Sequence, residues 1–522
     1  MQNGTRLVAV DLGSNSFRLE IGHLDHGQIR RVEYLKETVR QGNGLDDQRN
    51  LTPEAMQRGW DCLARFGERL AGCRKSQVRA VATQTLREAK NRDEFLAQAK
   101  KALGFHIDVI SGREEARLIY QGVAHMLPHT DSTASERRLV VDIGGRSTEM
   151  ILGRGFDAQV MESYRLGSVS WSMRYFEDGQ FTNKAFKAAA IAARAVLDEA
   201  ITTYAPANWD VAYGASGTIA AVGDVLTAAG NPPGVVTREG IEWLMERLLK
   251  AGSAEKLKID GMKDDRRAVI GGGLTVLKAV FDLLGIEQMH AADGALRHGV
   301  LYDLVEREQE ETDLRSASVE RLGVRFDVDP AHGQRVAKVA RHLFGQLFGQ
   351  ALAHAVDPAP SDVGSPAEQL ERLSRKVNWA GQLHEIGCQI SHNYHHKHGA
   401  YILQNAEVPG FALPELRLLS QLVLGQRGKL RKLELDMLSD PGFVQQLVCL
   451  RLAVLLCHAR RDPDYKGLQL APATKDDQTF VLSCPPGWSD AWPQSAHLLR
   501  EEAAAWRKSG WSLELVGCDP VG

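Results

Sequence analysis

The sequence predicts an α/β protein built as two similar halves, followed by a helical module and a small α+β segment. Three observations carry this. One phrase occurs twice, as LVAVDLGSNSFRLEIG at residues 7–22 and LVVDIGGRSTEMILG at 139–153. Apolar strand-like runs alternate with helical periodicity to about residue 302, the pattern of a sheet covered by helices. From Val305 to Gln334 the chain becomes charged and acidic, and beyond it the apolar spacing is helical to about residue 435. The implied division is 1–124, 125–305, 306–435 and 436–522.

With 522 residues the chain exceeds what one core organises, so two to four domains are expected. Its composition is 43% apolar and 25% charged, that of a globular protein. A formal net charge of −3 excludes DNA or RNA binding by bulk electrostatics, so an anionic substrate must be held by local basic groups. No apolar run approaches the ~20 residues of a membrane span, and the N-terminus lacks a signal-peptide layout. Seven cysteines, odd in number and without a CxxC pair, suit a reducing cytoplasm. They argue against a zinc ribbon or a disulfide frame.

The elements follow in order. Residues 5–122 read as strand, hairpin, strand and helices, with VRAVATQTLREAKN (78–91) and FHIDVISGREEARLIYQGVAH (105–125) each a strand, a turn and a helix start. The second half restarts at 136, carries a long helix near 183–204, and repeats the strand–turn–helix pattern in VAYGASGTIAAVGDVL (211–226). The last residues offer an apolar helix (446–458), strands at 468–471 and 479–483, a helix near 494–508, and WSLELVG.

Aligning Asp11 with Asp142 places Gly13 on Gly144, Ser16 on Ser147 and Gly22 on Gly153. Each copy is a strand, a tight small-residue turn and a returning strand. Glycines and hydroxyl residues let backbone N–H groups converge on an anion. The aspartate at the strand end is suited to hold hydrated Mg²⁺ against phosphate oxygens. One copy alone reads as an ordinary hairpin. Two copies, each with an Asp before the turn, favour a phosphate site between two like domains.

DLGSNSF and DIGGxSTE, with GASGT downstream, resemble the exopolyphosphatase and guanosine-pentaphosphate phosphohydrolase family, of the actin, sugar-kinase and Hsp70-type fold superfamily. The resemblance extends through TLREA (85–89), ISGREEARLIYQGV (110–123), ESYRLGSVS (162–170), DGALRHGVLYDL (293–304), LHEIG and AYILQNAEVPGF, nearly the whole chain. It implies two actin-like domains, Mg²⁺ with K⁺ as a candidate activator, and a homodimer in the cytoplasm, with peripheral membrane association open. Arg146 departs from the family's third loop glycine. At that turn it either adds a phosphate contact or crowds a position needing φ > 0.

Ser111 followed by Glu114 is a capping box opening a helix, so Glu114→Gln is expected to cost about 1 kcal/mol or less. Glu115, about 100° further round, points elsewhere. It matches the family's general base. By the resemblance, Asp142 and Glu149 lead as Mg²⁺ ligands with Asp11 beside them, and Arg87 is the cation nearest the terminal phosphate. The phosphoryl oxygens are expected at Gly13, Ser14 and Asn15, at Gly144, Gly145, Arg146 and Ser147, and at Gly214, Ser216 and Gly217.

LHEIGCQISHNYHHKHGAYIL (383–403) carries five histidines. It is similar to the metal-dependent HD phosphohydrolases, but has His384-Glu385 and no matching downstream aspartate, which reads as a degenerate HD-like helical module. Beyond it, Arg427, Lys429, Arg431 and Lys432 form a basic run, a candidate wall for a polyphosphate channel. The expected function is therefore exopolyphosphatase. Guanosine pentaphosphate phosphohydrolase is the alternative, tetraphosphate being a further possible ligand. A sugar-kinase-like phosphotransferase, with GGGLTVLKAVFDL (271–283) as its adenosine-site glycines, is more distant.

Overall fold

The computed structural model describes residues 3–128, 135–307, 313–354, 366–473 and 476–518. It divides into two compact units, Met1–Thr312 and Asp313–Gly522. No described helix is long and apolar enough to cross a membrane.

The first unit holds two sheets. In the first, β1 (Arg6–Leu12), β2 (Phe17–Asp25) and β3 (Gln28–Glu37) form an antiparallel meander, and β4 (Val78–Ala82) and β5 (Ile107–Val109) add in parallel to give the order β3-β2-β1-β4-β5. In the second, β6 (Arg137–Ile143), β7 (Thr148–Arg154) and β8 (Asp157–Tyr164) repeat the meander. The strands β9 (Val211–Gly214), β10 (Val235–Thr237) and β11 (Gln288–Ala291) complete the order β10-β11-β9-β6-β7-β8. The duplicated phrase is thus a duplicated lobe, as the actin-like expectation requires. In β1, Leu7–Leu12 are all buried, because parallel pairing in mid-sheet leaves no wet face. β3 is an exposed edge strand, kept soluble by QIRRVEYLKE.

Helices Gly112–Met126 and Leu296–Arg307 pack closely enough that a Cβ on Gly299 would overlap the Leu118 carbonyl. One core cluster there joins Leu7, Ala9 and Val81 of the first lobe to Val140, Ile151 and Ala215 of the second.

This packing corrects the reading of Glu114. The Ser111 hydroxyl does accept from the Glu114 amide at 3.1 Å. The Glu114 carboxylate, however, is fully buried and takes two bonds of 2.8 Å from Arg117. Arg117 and Arg79 both reach Asp303, which Arg307 also contacts at 2.5 Å. Burial alone would raise the Asp303 pKa, but Arg79, Arg307 and Arg117 hold it well below the usual carboxylate range. Removing one charge from such a network leaves another buried and unpaired, at a cost of about 3–5 kcal/mol. Glu114→Gln is therefore expected to lower stability by that order in denaturant titrations, several times the capping value.

The second unit packs helices, among them Leu314–Arg325, Pro330–His354 and Pro441–Leu456, with a three-stranded sheet of order β12-β13-β14 (Gln469–Ala473, Asp476–Ser483, Ser512–Val516). Of the acidic stretch 305–334, residues 308–312 lie outside the described residues. The terminal sheet is present, and its core is continuous with that of the helices from Val319 to Cys518. The cysteine reading needs correcting. Cys484 and Cys518, 34 residues apart, form a disulfide, while Cys62, Cys73, Cys388, Cys449 and Cys457 are free. The parallel pairing of β13 with β14 brings the two together, which cysteine spacing does not reveal.

Candidate active site

Both Asp-Gly turns close between paired strands, with Leu12 opposite Phe17 and Ile143 opposite Thr148. The turns face each other: a Cβ on Gly145 would stand 3.1 Å from the Ser14 Cβ and 3.5 Å from the Asn15 amide nitrogen. The Thr85 hydroxyl donates to Ser14 Oγ at 2.7 Å, and the Gly42 amide to the Ser14 carbonyl at 2.7 Å, fixing the first turn. In the second turn the Gly144 amide is spent on the Ser147 carbonyl at 2.9 Å. Among the described residues the amides of Gly145, Arg146 and Ser147 remain for a ligand. The third loop follows β9 from Gly214. Ser216 caps the helix Gly217–Ala228, its Oγ accepting from Thr218 and Ile219 at 3.2 Å each. This helix N-terminus joins the two turns, since Thr218 Oγ1 donates to the Ile143 carbonyl at 3.0 Å.

The strand register explains the electrostatics. Asp11 pairs with Arg18, and Asp142 pairs with Glu149 at the equivalent place. Arg18 neutralises Asp11 at 2.9 Å. In the second lobe a carboxylate stands where that arginine would be. Glu115 enters from the first turn of the helix Gly112–Met126, held by Arg87 Nη1 at 2.6 Å. Glu149 accepts from Ser163 Oγ at 2.7 Å.

Burial pushes the Glu115 pKa up, Arg87 pulling against it and Asp11 adding to it. Asp142 is raised well above its ordinary value by burial and by Glu115, against Arg18. Glu149 is raised well above by burial, then by Glu115 and Asp142, against Arg87 and Ser163. Four carboxylates thus share a pocket with two arginines, and one buried oxygen, Asp11 Oδ1, has no hydrogen-bond partner among the described residues. Like charges so placed demand protons or a cation. An all-oxygen donor set suits a hard divalent ion. Asp142 and Glu149 are the residues that could hold it, with Asp11 alongside.

Sequence reasoning missed two arginines. Arg18 lies only two residues beyond the first turn, its signal being its alignment with Glu149. Arg266 is buried so close to Gly217 that a Cβ there would overlap its guanidinium. Its pKa is pushed down, first by burial and then, against Asp265, by nearby Arg18. No sequence motif marks it. Arg87 is found where expected, but its guanidinium serves Glu115, Gln84 and the Ile110 carbonyl.

Of the two roles anticipated for Arg146, crowding of a left-handed turn does not arise. Its backbone is not left-handed. Its side chain leaves the turn and binds Glu88 at 3.0 Å and the Gly42 carbonyl at 3.0 Å, both in the opposite lobe. A partly exposed pair of this kind contributes about 0.5–1 kcal/mol. Arg146→Gly and Glu88→Gln are expected to show that coupling in a double-mutant cycle of unfolding. A loss of substrate affinity in Arg146→Gly that Glu88→Gln does not share would make Arg146 a phosphate ligand instead.

Gly271, Gly272 and Gly273 do not form the adenosine site of the kinase reading. They sit within the helix Ile270–Leu284, against Phe176, Ser168, Ser172 and Thr218, where a Cβ would clash. Their role is close helix packing. In the second unit Arg427, Lys429 and Arg431 are exposed. Lys432 is half-buried and donates to the Arg427 carbonyl, and its pKa is pushed down to about 7 by burial and by Arg451, Lys397 and Arg427.

The sequence profile of the Ppx/GppA phosphatase family matches residues 21–308, and that of Ppx/GppA phosphatase, domain III, matches 314–503. A Vibrio cholerae protein named guanosine-5'-triphosphate,3'-diphosphate pyrophosphatase is 39% identical over 510 residues, 97% of this chain and 97% of its own. The Aeromonas hydrophila protein of that name is 35% identical over 99% of this chain and 100% of its own. An exopolyphosphatase structure from Cytophaga hutchinsonii matches with a TM-score of 0.52 at 23% identity, over 58% of this chain and 98% of its own. At that identity the likeness speaks to fold alone.

Proposed function

Because the chain belongs to the Ppx/GppA phosphatase family, we propose that it is a magnesium-dependent hydrolase removing the terminal 5′-phosphate of guanosine pentaphosphate. The reading of the substrate rests on one observation: relatives with near-complete coverage and 35–39% identity carry the name of that nucleotide's pyrophosphatase. The basic run at 427–432 had favoured inorganic polyphosphate. Arg427, Lys429 and Arg431, exposed together, keep that polyanion as the second reading.

Phosphoryl transfer to water passes through a loose transition state, so the protein's work is positioning and charge neutralisation. Glu115 orients the water and takes its proton. Its raised pKa makes it a stronger base than an exposed glutamate. Arg87 holds the Glu115 carboxylate in place. Amides of Gly145 to Ser147, the first turn and the Ser216 cap surround the phosphoryl oxygens, with Arg18 and Arg266 as nearby cations. Bound magnesium would neutralise charge on the phosphoryl oxygens, held by Asp142, Glu149 and Asp11.

Phosphate release measured side by side on guanosine pentaphosphate, polyphosphate and ATP tests the substrate. The nucleotide pentaphosphate is expected to show the highest kcat/KM. A preference for long polyphosphate that fades as salt rises would restore the polyphosphate reading.

A further inference from the structure

The second lobe of the first unit carries a cleft of about 620 Å³ that the carboxylate pocket does not use. It opens between the last turns of the helix Gly217–Ala228, the helix Arg238–Ala251 and the segment 256–260. Thr237 caps the second of these helices, its Oγ1 accepting from the Gly240 amide at 3.1 Å, and Gly252, at φ 74°, ends it. Trp243, Arg247 and Lys250 stand at positions i, i+4 and i+7 of that helix, so all three leave one face. Leu257 is buried in the core of the lobe and leaves Lys256 and Lys258 at the surface on either side of it. Arg267 completes the rim. Against these cations the lining holds a single carboxylate, Asp260. We propose that this cleft binds a nucleoside polyphosphate, at a site separate from the phosphate pocket.

Charge and shape select this class of ligand. Lys250, Lys256 and Lys258 make no ion pair among the described residues. The Arg247 guanidinium lies over the Trp243 ring, 5.1 Å from its centroid, with no carboxylate beside it among the described residues. Arg267 pairs with Asp264 through Nη2 at 2.9 Å, while its buried Nε has no hydrogen-bond partner among the described residues. In a chain of net charge −3, such a gathering of unpaired cations marks a place for a multiply charged anion. The wall is not only basic. Val225, Ala228 and Ile259 line it together with the half-buried indole of Trp243. An indole face or a guanidinium plane is a surface on which a nucleobase stacks, and a bare phosphate chain has nothing to place there. The volume lies in the range of clefts that take a small organic ligand. The cleft and the phosphate pocket draw on different ends of one helix. Ser216 caps the start of Gly217–Ala228 beside the phosphate turns, and Val225 lies about 12 Å further along the axis, at ~1.5 Å per residue.

The test is photolabelling of the full chain with the 8-azido triphosphates of adenosine and guanosine. Labelled peptides are identified by mass spectrometry, and half-saturation is read peptide by peptide. Label is expected within residues 238–260, in addition to any at the phosphate pocket. Unmodified nucleotide should suppress it far better than inorganic tripolyphosphate. Arg247→Ala combined with Lys250→Ala changes exposed side chains only. The pair is expected to raise half-saturation at this cleft by roughly tenfold or more. Its kcat/KM for phosphate release should stay unchanged, which also shows that the variant is folded. Trp243→Leu should weaken labelling by about fivefold or more and leave competition by tripolyphosphate as it was. Label confined to the phosphate pocket would overturn the proposal. So would label undiminished in the Arg247→Ala, Lys250→Ala variant, or tripolyphosphate competing as well as nucleotide.

Discussion

Glu115→Gln is expected to lower kcat by ~10²–10⁴-fold while leaving nucleotide affinity nearly unchanged. The substitution keeps the side chain's size and one acceptor oxygen for Arg87, and removes the negative charge that takes the proton. The Glu115 carboxyl titrates above its ordinary value, chiefly through burial. The rate of the unsubstituted chain should therefore fall on the acid side as pH drops through that raised pKa, and the residual rate of Glu115→Gln should lack this limb. Single-turnover kinetics across pH, with binding followed separately, make the comparison. A full-rate Glu115→Gln variant would remove this residue from the chemistry.

Asp142→Asn is expected to act in two opposite directions. It should raise by roughly tenfold or more the Mg²⁺ concentration needed for half-maximal rate, because it removes a charge that holds the ion. It should also stabilise the metal-free protein. Asp142, Glu149 and Glu115 all titrate higher folded than unfolded. Each therefore adds stability that is complete below the unfolded pKa of about 4 and is lost as pH rises through the folded value. At neutral pH the metal-free pocket carries this repulsion, and asparagine at 142 relieves part of it. Thermal midpoints with and without Mg²⁺, at acid and neutral pH, read both effects. The unsubstituted chain should gain from Mg²⁺ and from mild acid, and Asp142→Asn should gain less from either. Equal Mg²⁺ dependence in the two proteins would count against Asp142 as a ligand.

Much of this was open to sequence reasoning because it is local. The duplicated phrase specifies two strand–turn–strand units. A strand's period of two and a turn's demand for small residues are written within a dozen positions, so Asp11, Asp142 and both glycine turns could be named. The Ser111 cap turned Glu115 away from the helix start for the same reason. What depends on residues far apart in the chain was not open to it. Glu114 looked like a cap partner until Arg117 and Asp303 closed round it. Arg146 looked like a turn residue until Glu88 and Gly42 met it from the other lobe. Arg266 carried no signal at all, and Cys484 and Cys518 meet only because β14 pairs with β13. His384 packs edge-on against the His332 ring, a contact between distant parts of the chain. Sequence spacing records which side chains leave the same turn or strand face. Which buried charges finally face each other is decided by packing, since the cost of leaving one unpaired is settled only when the tertiary structure excludes water.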